Sequence, residues 1–127
     1  AATLRDAGRS ADAEAAWQDA LRLRPGFVPA LVGLGLAARR RGDRAAALAH
    51  FEAAAAAAPG TLSVLLELAA ERREQGDLEG ARDAARRALA VEPGHAAAWV
   101  SLGQTARRAA RHEAARNGFG RAHAAHP

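Results

Sequence analysis

Residue types that carry covalent or metal chemistry are few in this chain of 127 residues, and cysteine is absent. Ser63 and Ser101 fall on predicted helices, but neither has a histidine and a carboxylate in register beside it, so no nucleophilic triad is predicted. His123 and His126 are three residues apart and could contact one ion, but two ligands near a helix end do not complete a metal site. The chain is therefore expected to have no catalytic residue, no metal site and no cofactor.

Arginine is the charged residue type that recurs at a fixed spacing and could bind a ligand. Four arginines, named here the arginine ladder, stand 34 residues apart: Arg5, Arg39, Arg73 and Arg107. Because a guanidinium group binds a carboxylate or phosphate through two hydrogen bonds, a row of them favours an acidic peptide or a chain terminus. The same side chains fall in the last turns of predicted helices, where a cation stabilises the helix dipole by about 0.3 to 1 kcal/mol. The sequence leaves both roles open.

Acidic residues are interspersed among the arginines. Glu71 and Glu74 are one helical turn apart and enclose Arg72 and Arg73. A mixed-charge run of this kind predicts a solvated helix face and does not indicate a general acid and base pair.

The ladder is one part of a repeat that runs through the whole chain. Proline recurs every 34 residues, as Pro25, Pro59, Pro93 and Pro127. Alanine stands five and twelve residues before each proline, and eight residues before it come Trp17, Phe51, Ala85 and Phe119. Seventeen residues before it come Gly8, Gly42, Gly76 and Ala110. Each unit is therefore predicted to contain two helices, with a tight turn between them and a second turn at the proline.

The tight turns have a recognisable chemistry. Gly42 precedes Asp43, and Gly76 precedes Asp77, so a glycine can end one helix and an aspartate can cap the next. Ser10 is predicted to cap the first unit in the same way. Apolar residues recur at spacings of three and four, and no segment alternates with period two, so all elements are expected to be helices.

At these positions the chain resembles the tetratricopeptide repeat family, whose 34-residue helix-turn-helix unit carries a W-x2-L-G, A, F, A, P pattern. The fourth unit matches it most fully, with Trp99, Leu102, Gly103, Ala115, Phe119, Ala122 and Pro127. The second unit matches nearly as well, with Leu31, Leu34, Gly35, Ala47, Phe51, Ala54 and Pro59. Arg72 and Ala85 depart from the pattern, and Gly118 and Gly120 predict that the last helix is the loosest. The resemblance implies an all-α fold, a right-handed α-solenoid of antiparallel helix pairs with about 3.5 repeats.

We expect a single array over residues 1–127, with a partial first repeat at 1–27 and further repeats at 28–61, 62–95 and 96–127. The first unit lacks most of its first helix, and no polar capping helix follows Pro127. The chain is therefore expected to be an excerpt of a longer protein.

The resemblance also implies a function, because the first helices of such arrays line a concave groove that receives a peptide. The expected groove residues form an apolar floor and a basic rim: Val32, Leu36, Arg39, Arg40, Leu66, Ala70, Arg73, Val100, Gln104, Arg107 and Arg108. The lysine and asparagine clamp that some members use for chaperone termini is absent, since apolar residues occupy those places. We therefore expect a scaffold that binds a protein or peptide segment with apolar anchors beside acidic residues.

Three other interpretations stay open. A basic array could bind RNA, since the isoelectric point is about 11.3, but Trp17, Phe51, Trp99 and Phe119 are assigned to the core, so nucleic acid is not expected. The array could associate with itself through its repeat ends, or accompany a larger bacterial enzyme such as a glycosyltransferase. No membrane span is expected, and the lack of cysteine favours a cytoplasmic location over a periplasmic one.

Overall fold

The computed structural model describes residues 4–125, and the side chains of residues 8–117. Within that range the chain forms six α-helices and no strand. The helices are α1 (Leu4–Leu23), α2 (Val28–Arg41), α3 (Arg44–Ala57), α4 (Leu62–Glu74), α5 (Leu78–Val91) and α6 (Ala96–Ala125). Helix α2 pairs with α3, α4 pairs with α5, and α6 packs on both helices of the preceding pair. The fold is the predicted all-α solenoid of helix pairs.

Glycine and aspartate form the turn inside the second and third repeats, as predicted. Gly42 and Gly76 have φ angles of 80° and 84°, in the left-handed region that a side chain disfavours. The Asp43 carboxylate accepts a hydrogen bond from the amide of Ala46 at 3.2 Å, and Asp77 accepts one from the amide of Gly80 at 2.9 Å. One helix ends and the next begins within these few residues, so each pair closes tightly.

The first and fourth repeats do not contain this turn, so the predicted breaks at Gly8 and Ala110 are wrong. Gly8 and Ser10 lie inside α1, and Ser10 caps no helix. Gly8 is followed by Arg9, which cannot accept the amide hydrogen bonds of a new helix. In the fourth repeat Ala110 disfavours the left-handed conformation, and a basic residue follows it. Helix α6 therefore continues through this point, and its full length is 30 residues.

The core lies between the paired helices and consists mainly of alanine around a few large side chains. Phe51 is fully buried and its ring contacts Gly35, where an added Cβ would lie 2.8 Å from the ring carbon Cε1. Glycine at this position therefore lets α2 and α3 approach closely. The ring of Trp17 contacts Gly33 in the same manner, which joins α1 to α2.

Trp99 is 55% exposed, although its counterparts one and two repeats earlier, Leu65 and Leu31, are buried. The prediction that Trp99 belongs to the core is therefore wrong. Because α6 does not turn back at Ala110, no second helix within residues 4–125 covers the tryptophan. The Trp99 indole N–H donates a hydrogen bond to the Pro93 carbonyl at 2.8 Å. Phe119 lies outside the side chains that the structure describes.

Candidate functional site

The first helices of the last three repeats, α2, α4 and the beginning of α6, carry the residues predicted to form the groove. Of the apolar ones, Leu36 is 37% exposed and Val100 is 58% exposed. Val32 and Leu66 are half-buried and pack against the core, and Ala70 is also half-buried. The apolar surface available to a ligand therefore centres on Leu36 and Val100.

Arg39 is engaged by the next repeat. Its Nε donates a hydrogen bond to Oε1 of Glu71 at 2.6 Å, and its Nη2 lies 2.6 Å from Oε2 of Glu67 without the alignment of a hydrogen bond. The guanidinium also stacks over the Phe51 ring, 5.0 Å from the centroid. Arg39 therefore holds α2 against α4.

Burial and charge act in opposite directions on this cluster. Burial lowers the pKa of Arg39, but the hydrogen-bonded Glu71 and the charge of Glu67 outweigh it and hold the pKa above its ordinary value. Glu71 is only 2% exposed, so the prediction that it belongs to a solvated face is wrong. Its partner lies 32 residues earlier in the chain, on another helix.

Arg73 makes the equivalent connection one repeat later. Its Nη1 donates to Oγ of Ser101 at 3.2 Å and to the Ser101 carbonyl at 3.4 Å, and the hydroxyl of Thr105 donates to the same carbonyl at 2.9 Å. Burial, followed by repulsion from Arg108, lowers the pKa of Arg73 below its ordinary value.

The two connections use the same register. Ser101 and Thr105 stand 34 residues after Glu67 and Glu71, so each ladder arginine reaches toward corresponding positions of the following first helix. Carboxylates occupy these positions in the third repeat, and hydroxyls occupy them in the fourth. We call this recurring contact the inter-repeat staple. It accounts for Arg39 and Arg73 without any ligand.

Other predicted basic residues differ in how far they are engaged. Arg108 donates from Nη1 to the Arg73 carbonyl at 2.7 Å and from Nη2 to Glu74 at 3.0 Å. Arg40 and Arg107 are exposed, and no carboxylate among the described side chains lies within ion-pair distance of either. The side chain of Arg5 lies outside the described residues.

A basic pocket of about 220 Å³ lies where α4 ends beside α6. It is lined by Arg73, Glu74, Gln104, Arg107, Arg108 and Arg111. Four arginines and one glutamate make it strongly positive, and the exposed Arg107 and Arg111 can present their guanidinium groups to an anion.

Arg111 was absent from the predicted site. In the second and third repeats its register position holds Asp43 and Asp77, which begin a new helix. Because α6 continues, Arg111 instead follows Arg107 by one helical turn and lines the same pocket. The signal was present in the sequence as the replacement of Gly-Asp by Ala110 and Arg111.

Among the described residues, no three histidine, cysteine, aspartate or glutamate side chains are placed to hold a metal ion. The Ser101 hydroxyl accepts a hydrogen bond from Arg73, and Ser63 is exposed. His123 and His126 lie outside the side chains that the structure describes. None of the helices in the described range is long and apolar enough to span a bilayer.

Comparison with known proteins agrees with this geometry. A family model described as tetratricopeptide repeat matches residues 1–60 and 66–127. No curated protein matches the sequence.

Solved structures show the same fold. The first TPR of Spaghetti (RPAP3) bound to HSP90 peptide SRMEEVD is 20% identical, with a TM-score of 0.72 over 81% of this chain and 82% of that one. MamA is 20% identical, with a TM-score of 0.71 over 89% of this chain and 68% of that one. TTC0263, a thermophilic TPR protein of Thermus thermophilus, is 26% identical, with a TM-score of 0.68 over 80% of this chain and 52% of that one.

Proposed function

Because the chain belongs to the tetratricopeptide repeat family, we propose that it is a non-catalytic protein–protein interaction module whose first helices bind a segment of a partner protein. The family and the fold support a protein or peptide as the partner. We further propose that the segment is acidic and that its carboxylates bind in the basic pocket.

The positive charge of the basic pocket is the observation that supports an acidic segment as the ligand. Arg107 and Arg111 are exposed there, and Gln104 adds an amide that can donate further hydrogen bonds. Burial, followed by repulsion from Arg108, lowers the pKa of Arg73, and the repulsion reflects the closeness of like charges in the pocket. A carboxylate bound there would offset that repulsion. One similar structure holds the peptide SRMEEVD, which contains acidic residues; it supports the proposal as a precedent in that protein.

Helical geometry then constrains the ligand. Val100 lies seven residues before Arg107 on α6, which corresponds to about 10 Å along the helix axis. A peptide in the polyproline II conformation has three residues per turn and rises about 3.1 Å per residue, so side chains three positions apart lie on the same face and about 9 Å from each other. The preferred segment therefore has an apolar side chain that contacts Val100 and an acidic side chain three positions away that binds Arg107.

Peptide titration by fluorescence anisotropy tests the proposal. Peptides with an apolar residue and a glutamate three apart are compared with the same peptides in which glutamine replaces glutamate. We expect Arg107→Glu with Arg111→Glu to weaken binding at least about tenfold at low salt, because it reverses two charges in the pocket.

The matched control is Arg44→Glu, which changes the charge of an exposed arginine on α3. This variant should bind as the wild type does. Equal affinity of the pocket variant and the control, or of the glutamate and glutamine peptides, would contradict the acidic ligand.

Nucleic acid is not part of the proposal, although Trp99 is exposed. Among the described side chains, Trp99 is the one aromatic that is largely exposed. A single ring does not provide the row of stacking surfaces that single-strand binding proteins use for successive bases. We propose a cytoplasmic location, which the absence of cysteine supports.

A further inference from the structure

The first part of α6 presents a face that is covered in the two preceding repeats. Gly35 on α2 lies under the Phe51 ring, whereas its counterpart Gly103 has no atom within 4 Å of an added Cβ. Ala38 is fully buried, and its counterpart Ala106 is exposed. Together with the exposed Trp99, these residues form a surface that a second helix covers in the other repeats. We call Trp99, Gly103 and Ala106 the docking face.

A groove adjoins the docking face. It has a volume of about 440 Å³ and lies between α5 and α6, where Leu78, Leu102 and Ala109 form an apolar lining. In the second and third repeats a second helix follows the first and packs beside it. The groove lies where the second helix of the fourth repeat would pack.

The later part of α6, residues 111–125, carries the sequence of such a second helix. Its Ala115 stands in the register of Ala47 and Ala81, which are fully buried, yet Ala115 is exposed. By sequence register alone, Phe119 corresponds to Phe51. We call residues 111–125 the arm.

The arm and the docking face of one copy cannot meet while α6 is continuous. Ala115 lies twelve residues after Gly103, which places it about 18 Å further along the axis. The Gly-Asp turn that would reverse the chain is absent, so a covering helix must come from elsewhere.

We propose that the arm of one copy packs on the docking face of a second copy, in the position that α3 takes on α2. The occupant is inferred from the contact within the second repeat, where Phe51 of the second helix packs on Gly35 of the first. Gly103 is the counterpart of Gly35 and has open space on that side, and Phe119 of the arm is the counterpart of Phe51 in sequence register. The inference rests on α6 and the adjoining groove on α5. It does not require a peptide ligand, although Arg111, the first residue of the arm, also lines the basic pocket.

The geometry of α6 also gives the kind of assembly. Trp99 and Ala115 are sixteen residues apart, and at about 100° per residue they lie roughly 160° apart around the helix. Two straight helices cannot use both surfaces on each other at once. Each copy therefore uses its arm on one neighbour and its docking face on another, which produces head-to-tail chains.

Sedimentation and light scattering of the wild-type chain over a wide concentration range provide the first test. We expect the average mass to rise steadily above the monomer value of 13.1 kDa as concentration increases. A constant monomer mass up to about millimolar concentration would overturn the proposal, because it would mean that the arm folds back or that nothing covers the face.

Two complementary variants test the surfaces. Gly103→Leu blocks the docking face by filling the space for the phenylalanine, and the open surroundings of Gly103 accept the new side chain in the monomer. Phe119→Ala weakens the arm and leaves the docking face intact. Each variant alone should remain a monomer, with helix content checked by circular dichroism.

Mixing the two variants should restore one contact and produce a 1:1 pair of twice the monomer mass that does not grow further. A mixture that stays monomeric, or a Gly103→Leu variant that associates as the wild type does, would refute the head-to-tail contact.

A third variant, Ala110→Gly with Arg111→Asp, introduces the pair that forms the turn in the second and third repeats. It should let the arm cover the docking face of its own copy and convert the protein to a monomer. Association equal to that of the wild type would show that the arm is not the occupant.

Discussion

Replacing Arg39 by methionine tests whether the ladder arginine is primarily structural. The substitution keeps much of the apolar side-chain volume over Phe51 and removes the cation beside Glu71, which is 2% exposed. Glu71 remains buried in the variant without its cation. Folding of the variant therefore requires either an unpaired carboxylate in the interior or protonation of that carboxylate.

The magnitude follows from the burial of the two partners. Removing one member of a fully buried ion pair costs about 3 to 5 kcal/mol. The Arg39 side chain is 35% exposed, so solvent screens part of the interaction and the expected loss is about 2 to 3 kcal/mol. This is a large fraction of the roughly 5 to 15 kcal/mol that stabilises a typical domain.

Urea unfolding followed by circular dichroism at one fixed protein concentration measures the loss. The control is Arg40→Met, because Arg40 is exposed and the change should alter the free energy of unfolding by less than about 0.5 kcal/mol. Adding Glu71→Leu to Arg39→Met should recover much of the stability, because the buried charge is then removed together with its partner.

Two results would refute the reasoning. One is a loss for Arg39→Met no larger than that for Arg40→Met. The other is a further additive loss on adding Glu71→Leu, which would mean that the two residues contribute independently.

Two further predictions concern the glycines. Gly35→Ala should destabilise the protein by about 1 to 3 kcal/mol, because the new Cβ would lie 2.8 Å from the Phe51 ring; Gly60→Ala, with open space around it, is the control, and thermal unfolding compares them. Gly76→Ala should cost about 1 kcal/mol, because φ at this residue is 84°. Equal stability of the wild type and Gly76→Ala in urea would show that the turn rearranges without cost.

Local chemistry explains why much of the fold could be predicted from the sequence. The turns at Gly42 and Gly76 depend on a glycine and the aspartate that follows it, so two neighbouring residues are enough to indicate them. Ala110 occupies the same register without that chemistry. Its place in the period suggested a turn, but a turn requires the residue types as well as the position, and α6 continues.

The candidate site was harder to predict because its contacts join separate helices. Periodicity within α4 places Glu71 in a charged run, and the run alone does not show that Arg39 from α2 covers it. Arg111 enters the basic pocket only because the chain does not turn at Ala110. Both cases depend on contacts or continuity that spacing within one helix does not contain.

The inter-repeat staple has a consequence for the order in which the array opens. Between the second and third repeats it consists of charged partners, with Glu71 deeply buried, whereas between the third and fourth it ends on the neutral groups of Ser101. The Arg108–Glu74 pair also joins the third and fourth repeats, but its side chains are 39% and 44% exposed, so it contributes little. Since the stability of stacked repeats depends on their neighbour contacts, the two junctions should separate at different free energies. Amide hydrogens at the start of α6 should exchange through a lower-energy opening than those of α4, so that unfolding proceeds from the fourth repeat toward the second.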